Sequence, residues 1–518
     1  MRIAFRKCII YDVACKGNAL PSGAGYSTLT TNAEFHILIK RIFNVRETAA
    51  DRRKWPPGKG RLLMTKDLTN GSPAKLILGF SLPLLCGYLF QQFYSMADTM
   101  IVGRFLGVDS LAAVGSTGSV NFLIIGFCMG LCSGFSIPVS QQFGAGNESA
   151  VRKFIANSAW LIAFFSILMA ALTCIFCRNI LVLMQTPENI LEEACEYIWI
   201  IFLGIPATCL YNILSGFMRA LGDSKTPVVF LLISSFLNIG LDIFCILVLN
   251  MGVSGAAWAT VISQAISGVC CLFYMLKKFE VMKISREEWR PDFHLMGILC
   301  GMGIPMGLQY PITAIGSVIL QTATNSLGST AVASVTAGSK VSMFLCCPFD
   351  AMGATMATYS GQNIGAGKLD RIGQGMRSCV LMAVAYSAFA FLFSLLAGRG
   401  LAGLFVTGDE SAVLDNAAFY LNINTAFYFP LALVNIIRFT IQGMGFPRFA
   451  ILAGVFEMAA RAITAFALVP VLGFTGSCLG NPVAWVFADL FLIPAYFHVR
   501  KTMRLRLNAD EKPYNQQF

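Results

Sequence analysis

VVFLLISSFLNIGLDIFCILVL, residues 228–249, contains a single ionisable side chain, Asp242. A run of this kind reaches the ~20 residues that an α-helix needs to cross the hydrocarbon of a bilayer. It is too long and too continuous for the short alternating strands of a membrane β-barrel. Outward from it, Ala159–Cys177 and Leu381–Leu396 read the same way. The 518-residue chain is 56% hydrophobic and 13% charged, with a mean hydropathy of +0.67, whereas soluble domains carry roughly 25% charged residues. A water-soluble core cannot hide so much Leu, Ile, Phe and Val without large exposed patches, so lipid is the solvent. Twelve spans are predicted, near 76–102, 111–138, 154–177, 196–217, 227–249, 254–276, 295–322, 331–358, 378–403, 417–439, 447–470 and 476–499. The fold class is an all-α polytopic membrane protein.

The net charge of +11 would suit a nucleic-acid partner were it spread differently. With the fold's amino end inside, Lys and Arg crowd the loops after even-numbered spans, from Arg152 and Lys153 through Arg219, Lys225, Arg438 and Arg448 to the Arg500–Arg506 tail. The opposite loops hold Arg104, Arg178 and Arg399 beside several acids. This asymmetry reports orientation, with both fold termini cytoplasmic, and no nucleic acid is expected. Most of the 17 cysteines fall inside spans (Cys86, Cys128, Cys132, Cys346 and Cys347 among them), where cysteine acts as a small hydrophobe. Cys174 and Cys177 form a CxxC without the context of a redox motif. His36, His294 and His498 have no zinc spacing, so neither a metal nor a cofactor is expected.

The chain repeats at an offset of about 221 residues. LGVDSLAAVGS from Leu106 matches LGSTAVASVTA from Leu327, SQQFGAGN from Ser140 matches SGQNIGAGK from Ser360, and GVSGAAWAT from Gly252 matches GFTGSCLGN from Gly473. Pro83 pairs with Pro305, and Pro206 with Pro430. An even number of spans per half makes the repeat parallel, about an axis along the membrane normal. Transporters of that build bind substrate between the halves and alternate access. The expected organisation is 1–63 as a disordered extension or mis-set start, 64–276 as the first lobe, 277–294 as a cytoplasmic linker, 295–499 as the second lobe and 500–518 as a cytoplasmic tail. GQNIGAGKL at 361–369 has the wrong glycine spacing for a phosphate-binding loop, and Leu369 stands where Ser or Thr is needed. No nucleophile-base pair appears at the membrane surface, so an enzyme is not expected.

Ionisable groups at span depth are costly and therefore functional candidates. Asn238 and Asp242 are four apart, on one helical face. With Asp98 on the first span and Thr260 on the sixth, they fall roughly 7–18 Å below the outer surface at ~1.5 Å per residue. Paired carboxylates in a low-dielectric pocket cannot both stay charged without cost, so the site suits a shared proton or a transient Na⁺. In the second lobe, Glu457 and Arg461 are spaced to pair on one helix, while Lys340, Asp350 and Asp489 are further candidates. Leu320 stands where Asp98 falls in the repeat. Phe90, Phe93, Tyr94 and Met96 on the first span, with Met306, Gln309 and Tyr310 on the seventh, are candidate cavity walls, because aromatic faces attract organic cations and Met adapts its shape. Pro83 removes a backbone hydrogen bond in mid-span and permits a kink.

QQFYSMADTMIVGRFLGVDSLAAVGS from Gln91, QQFGAGN from Gln141, RALGDSKTP from Arg219 and NMGVSGAAWATVISQ from Asn250 together resemble the multidrug and toxic compound extrusion (MATE) family. The likeness runs from about Met64 to the carboxyl end. It is greatest to the bacterial branch named for DNA-damage-inducible protein F. The resemblance implies a V-shaped protein of two six-helix lobes that extrudes drugs in exchange for H⁺ or Na⁺. It places Asp98, Asn238, Asp242 and Thr260 where that branch carries Asp, Asn, Asp and Thr for coupling. It makes Pro83 a hinge, and puts Lys340 and Asp350 on a helix that lines the cavity. The function expected is secondary active efflux of organic, often cationic, compounds by a monomer in the bacterial plasma (inner) membrane. The alternative is a lipid or lipid-linked oligosaccharide flippase, which would line its cavity with arginines for phosphate; Lys340 and Arg461 are the basic residues at hand.

Overall fold

The structure is a computed structural model that describes residues 67–405 and 411–509, all within one compact unit, Leu62–Phe518. The reading of residues 1–63 lies outside the described residues. Among the described residues there are helices and no strands. The first lobe comprises α1 (Pro73–Phe105), α2 (Asp109–Gly144), α3 (Glu148–Ile175), α4 (Glu188–Leu203 with Ile205–Ala220), α5 (Thr226–Val248) and α6 (Gly252–Lys278). The second comprises α7 (Phe293–Asn325), α8 (Ser329–Gly365), α9 (Leu369–Ala402), α10 (Ser411–Ala426 with Tyr428–Gly443), α11 (Pro447–Leu472) and α12 (Phe474–Ala509). Ten of these are single helices long and apolar enough to cross a bilayer, and the two bent pairs bring the number to twelve.

The boundaries follow from local chemistry. Pro73, Pro227 and Pro447 begin α1, α5 and α11, where a missing N–H costs nothing. Asn147 caps α3 by accepting from the Ala150 N–H at 3.1 Å. Pro206 and Pro430 lie just past the breaks in α4 and α10, bent by 45° and 49°, because neither can donate to the preceding turn. The repeat reappears in the backbone: Gly146 and Gly367 turn the chain at φ 73° and 69°, and Gly252 and Gly473 at 59° and 57°. Large apolar side chains such as Phe236, Leu396 and Phe466 point outward at 70%, 89% and 77% exposure, as lipid-facing surfaces must.

Packing crosses the sequence division between lobes. Leu68, Ile77, Phe80 and Leu84, at the start of α1 and just before it, are buried in one core with Phe349, Tyr359 and Ile437 of the second lobe. Leu295 and Leu299, at the start of α7, are buried in the other core with Phe154 and Met275 of the first. Each half thus lends the first turns of its leading helix to the other. Two sequence readings need correction. Residues 500–509, taken as tail, continue α12, and Arg500 and Arg504 reach Asp370 at 3.4 and 3.2 Å. Arg438, counted as a loop cation, lies inside α10 and is 6% exposed, because that helix runs on to Gly443. Arg219 likewise sits in the last turn of α4, half-buried.

The linker between α6 and α7 is clasped to α3. Glu288 is 8% exposed and accepts from Arg152 Nε at 2.8 and 2.9 Å, from Ser149 Oγ at 3.2 Å and from the Ser285 N–H at 3.0 Å. Burial works against its charge, but the Ser285 N–H and Arg152 outweigh it and hold the pKa below the ordinary 4.5. A depressed pKa means that the clasp stabilises fully above the unfolded-chain value and is lost as pH falls through the folded one. Glu288→Gln is expected to destabilise the purified protein by ~1–3 kcal/mol at neutral pH. In thermal unfolding the gap from the parent should close as pH drops below the carboxyl range; a gap that does not change with pH contradicts the clasp.

Candidate functional site: a carboxylate pair in the first lobe

Asp242 on α5 is 0% exposed and Asn238, one turn earlier, is 2% exposed. Half-buried Asp98 on α1 brings its carboxyl within hydrogen-bonding reach of that of Asp242. Asn238 Nδ2 donates to Thr260 Oγ1 on α6 at 3.2 Å. The four residues predicted to cluster therefore meet from three helices. Tyr94 of α1 and Tyr197 of α4 lie within electrostatic range of both carboxyls. The tyrosine on α4 was not foreseen, since nothing in a single sequence marks which aromatic of a neighbouring helix turns inward.

The cluster is rich in acceptors and poor in donors. No protein donor reaches Asp98 Oδ1, either oxygen of Asp242, or Asn238 Oδ1. Buried acceptors of this kind are costly unless something fills them. An all-oxygen set suits a proton shared between carboxyls or a small hard cation; it does not suit a soft metal. Among the described residues no group of three or more His, Cys, Asp and Glu is placed to hold a metal ion. Directly after Asp242 the helix widens into a π turn over Phe244–Val248. Such turns break the regular hydrogen-bond ladder and recur at functional sites. A second π turn, Thr464–Leu468, occupies the corresponding place in α11.

The second lobe answers this place with a network of opposite charges. Glu457 accepts from Arg438 Nη2 and lies 3.5 Å from Arg461 Nη1, and Arg461 Nε donates to Asn481 at 3.3 Å. All three charged groups are buried, at 4%, 6% and 5% exposure. Arg438 was missed as a partner because, at the last turn of the predicted span 417–439, it was counted with the loop cations. The GMGFP turn at 443–447 was the signal that the helix runs further. Asp489 is buried nearby, with Oδ1 unpartnered.

The expected cavity residues divide. Phe90 and Phe93 are exposed, and Phe93 meets Phe344 of α8 with ring centroids 5.1 Å apart. Half-buried Met96 shares α1 with them. Tyr94 belongs with the carboxylate pair. Met306 is not an open wall: it is 4% exposed and packs with Ile137 and Met302. Gln309 accepts from Gln442 at 2.8 Å, and Tyr310 packs edge-on to Phe122 at 6.1 Å. Asp350 of α8 has accessible surface, yet Tyr88, Tyr310, Cys346 and Cys347 of both lobes surround it. Lys340 is exposed on α8, about 15 Å along the helix from Asp350. Pro83 lies inside α1, which runs through it unbroken.

The family described as MatE matches residues 83–244 and 305–467, one match in each lobe. The probable multidrug resistance protein YoeA of Bacillus subtilis is 28% identical over 447 residues, covering 84% of this chain and 96% of the relative. A FAD transporter of Shewanella oneidensis is 23% identical over 373 residues, 70% of this chain and 80% of its own. The fold is shared with the outward-facing conformation of a multidrug resistance MATE family transporter, at a TM-score of 0.78 and 22% identity, covering 87% of this chain and 99% of that one.

Removing Glu457 would strand two buried guanidinium groups. Glu457→Gln is expected to cost ~3–5 kcal/mol of stability, the usual penalty for breaking a buried pair from one side. Combining it with Arg438→Met and Arg461→Met should recover most of that loss in thermal unfolding. Equal instability of the single and triple variants contradicts the dependence of both guanidiniums on Glu457.

Proposed function

Because this chain belongs to the MatE family, we propose that it is a secondary active multidrug efflux transporter that exchanges H⁺ or Na⁺ for organic compounds. One observation carries the coupling: Asp98 and Asp242 face each other in the first lobe, and no protein donor reaches Asp98 Oδ1 or either oxygen of Asp242. A cation entering from outside fills the site, and its binding favours whichever lobe arrangement brings the oxygens together. Exchange then requires only that this arrangement hold substrate less well than the empty one, since a ligand shifts an equilibrium by its differential affinity alone. Asn238 and Thr260 add polar atoms to the same pocket. α1, which carries both Asp98 and Pro83, links that pocket to the space between the lobes.

Asp350 supports a preference for organic cations. It is an accessible carboxylate within charge range of Tyr88 in the first lobe and of Tyr310 and Cys346 in the second, and a carboxylate beside aromatic side chains attracts an organic cation. A flippase for phosphate-bearing lipids is less well supported, because Arg438 and Arg461 are both committed to Glu457. In this reading the protein sits in the bacterial plasma membrane with its basic loops cytoplasmic, and acts as a monomer.

Everted membrane vesicles test the exchange. Cationic dyes should collapse a preformed pH or Na⁺ gradient, and FAD serves as the anionic comparison. Asp98→Asn and Asp242→Asn should reduce ion-dependent efflux to background at normal expression; full activity in both contradicts the assignment. Asp350→Asn should raise KM for cationic dyes by about tenfold or more, the worth of a charged contact of ~1.5–3 kcal/mol, and leave neutral substrates unchanged. Equal loss for both substrate classes would make Asp350 structural.

A further inference from the structure

Two glutamines, one from each copy of the repeated turn, tie the lobes together at the end that carries the basic loops. Gln141 of α2 donates its Nε2 to Gly443 O at the end of α10, and Gln362 of α8 donates its Nε2 to Ala220 O at the end of α4, both at 2.9 Å. Both side chains are buried, at 5% and 0% exposure. The carbonyls they reach belong to the last turns of their helices, where no N–H of the same helix remains to fill them. Each lobe therefore caps a helix of the other. The backbones of α2 and α8 meet closely there: a Cβ on Gly144 would lie 2.0 Å from Gln362 O, and one on Gly365 would lie 1.8 Å from Gln141 O.

The segments leading into α1 and α7 cross over at the same end. Gln362 Oε1 accepts from the Leu68 N–H at 3.0 Å, Lys368 Nζ donates to Thr69 O at 3.0 Å, and Arg371 Nη2 donates to Gly71 O at 3.0 Å. In the matching place before α7, the Asp292 N–H donates to Asn157 of α3 at 2.8 Å.

We propose that Gln141 and Gln362 form a reciprocal latch that seals the basic-loop end of the protein, and that this end opens by losing both bonds together. The proposal rests on the alternating-access reading of the two lobes. Because both bonds cross the seam between the same pair of bodies, parting the lobes at this end lengthens both. Neutral amide-to-carbonyl bonds suit a gate that must cycle. When the seal opens, water takes the place of each partner, whereas a buried ion pair would resist separation.

Hydrogen–deuterium exchange of the full chain in lipid nanodiscs tests this without any substrate. In Gln141→Ala, in Gln362→Ala and in the double variant, peptides covering 218–222 and 441–445 should exchange faster, by about fivefold for each bond lost. At the opposite end, peptides covering 95–103 and 317–325 should exchange more slowly, because opening one end closes the other. Gly365→Ala, which wedges the seal with both glutamines present, should act in the same direction and serves if an alanine variant fails to assemble. Faster exchange at the latch with no change at the far end would mean local fraying and overturn the proposal; no change at either end would also overturn it. A gate that responds in this way while gradient-driven efflux is absent would leave the latch standing and remove the exchange reading.

Discussion

Lipid offers a buried carboxylate no water, and no protein donor reaches Asp98 Oδ1 or either oxygen of Asp242; in the exchange we propose, a small cation fills them. This constraint organises the first lobe. Asp242 sits at the inner face of α5, with Asn238 one turn away and the π turn of Phe244–Val248 just beyond it. Asp98 approaches from α1, whose opposite end is packed into the second lobe. A change in occupancy at the pair is therefore felt by a helix that touches both halves. In the proposed exchange, filling the site and moving the lobes are one equilibrium seen from two places.

The two halves share a backbone plan and differ in charge. Their turn glycines and π turns recur at matching places, yet the first lobe holds unbalanced acceptors and the second holds Arg438, Glu457 and Arg461 bound to one another. With Asp489 near Arg438 the two guanidiniums face two carboxylates, so this lobe carries its own counter-charges. A pocket with more buried acceptors than donors gains from a proton or a small cation that fills them. In the proposed exchange the first lobe is the moving part and the second is the body against which it works. The crossed glutamines at the basic-loop end hold the two in register.

Much of this was legible in the sequence. Long apolar runs located the spans, ten as single helices and two more as bent pairs, because lipid tolerates few other patterns. The repeat could be read from its turns, since glycine is needed wherever the backbone takes a positive φ. The i, i+4 spacing of Asn238 and Asp242 put them on one face, and their common depth with Asp98 and Thr260 foretold the cluster. What could not be read depends on partners distant in sequence. Arg438 looked like a loop residue until its helix was seen to continue, and Met306 looked like a cavity wall until Ile137 and Met302 covered it. The exchange of the first turns of α1 and α7 between lobes is a property of tertiary packing that no local pattern records. Gln141 and Gln362 were visible as part of the repeat, but not the helix ends they cap.

Cation binding by the purified protein tests the central claim most directly. Na⁺ uptake measured with a radioactive tracer, alongside proton uptake followed with a pH indicator, should show one cation held per chain in the absence of substrate. That binding should vanish when Asp98 and Asp242 are both replaced by Asn. Undiminished binding in the double variant, or no binding of either cation to the parent protein, would contradict the account.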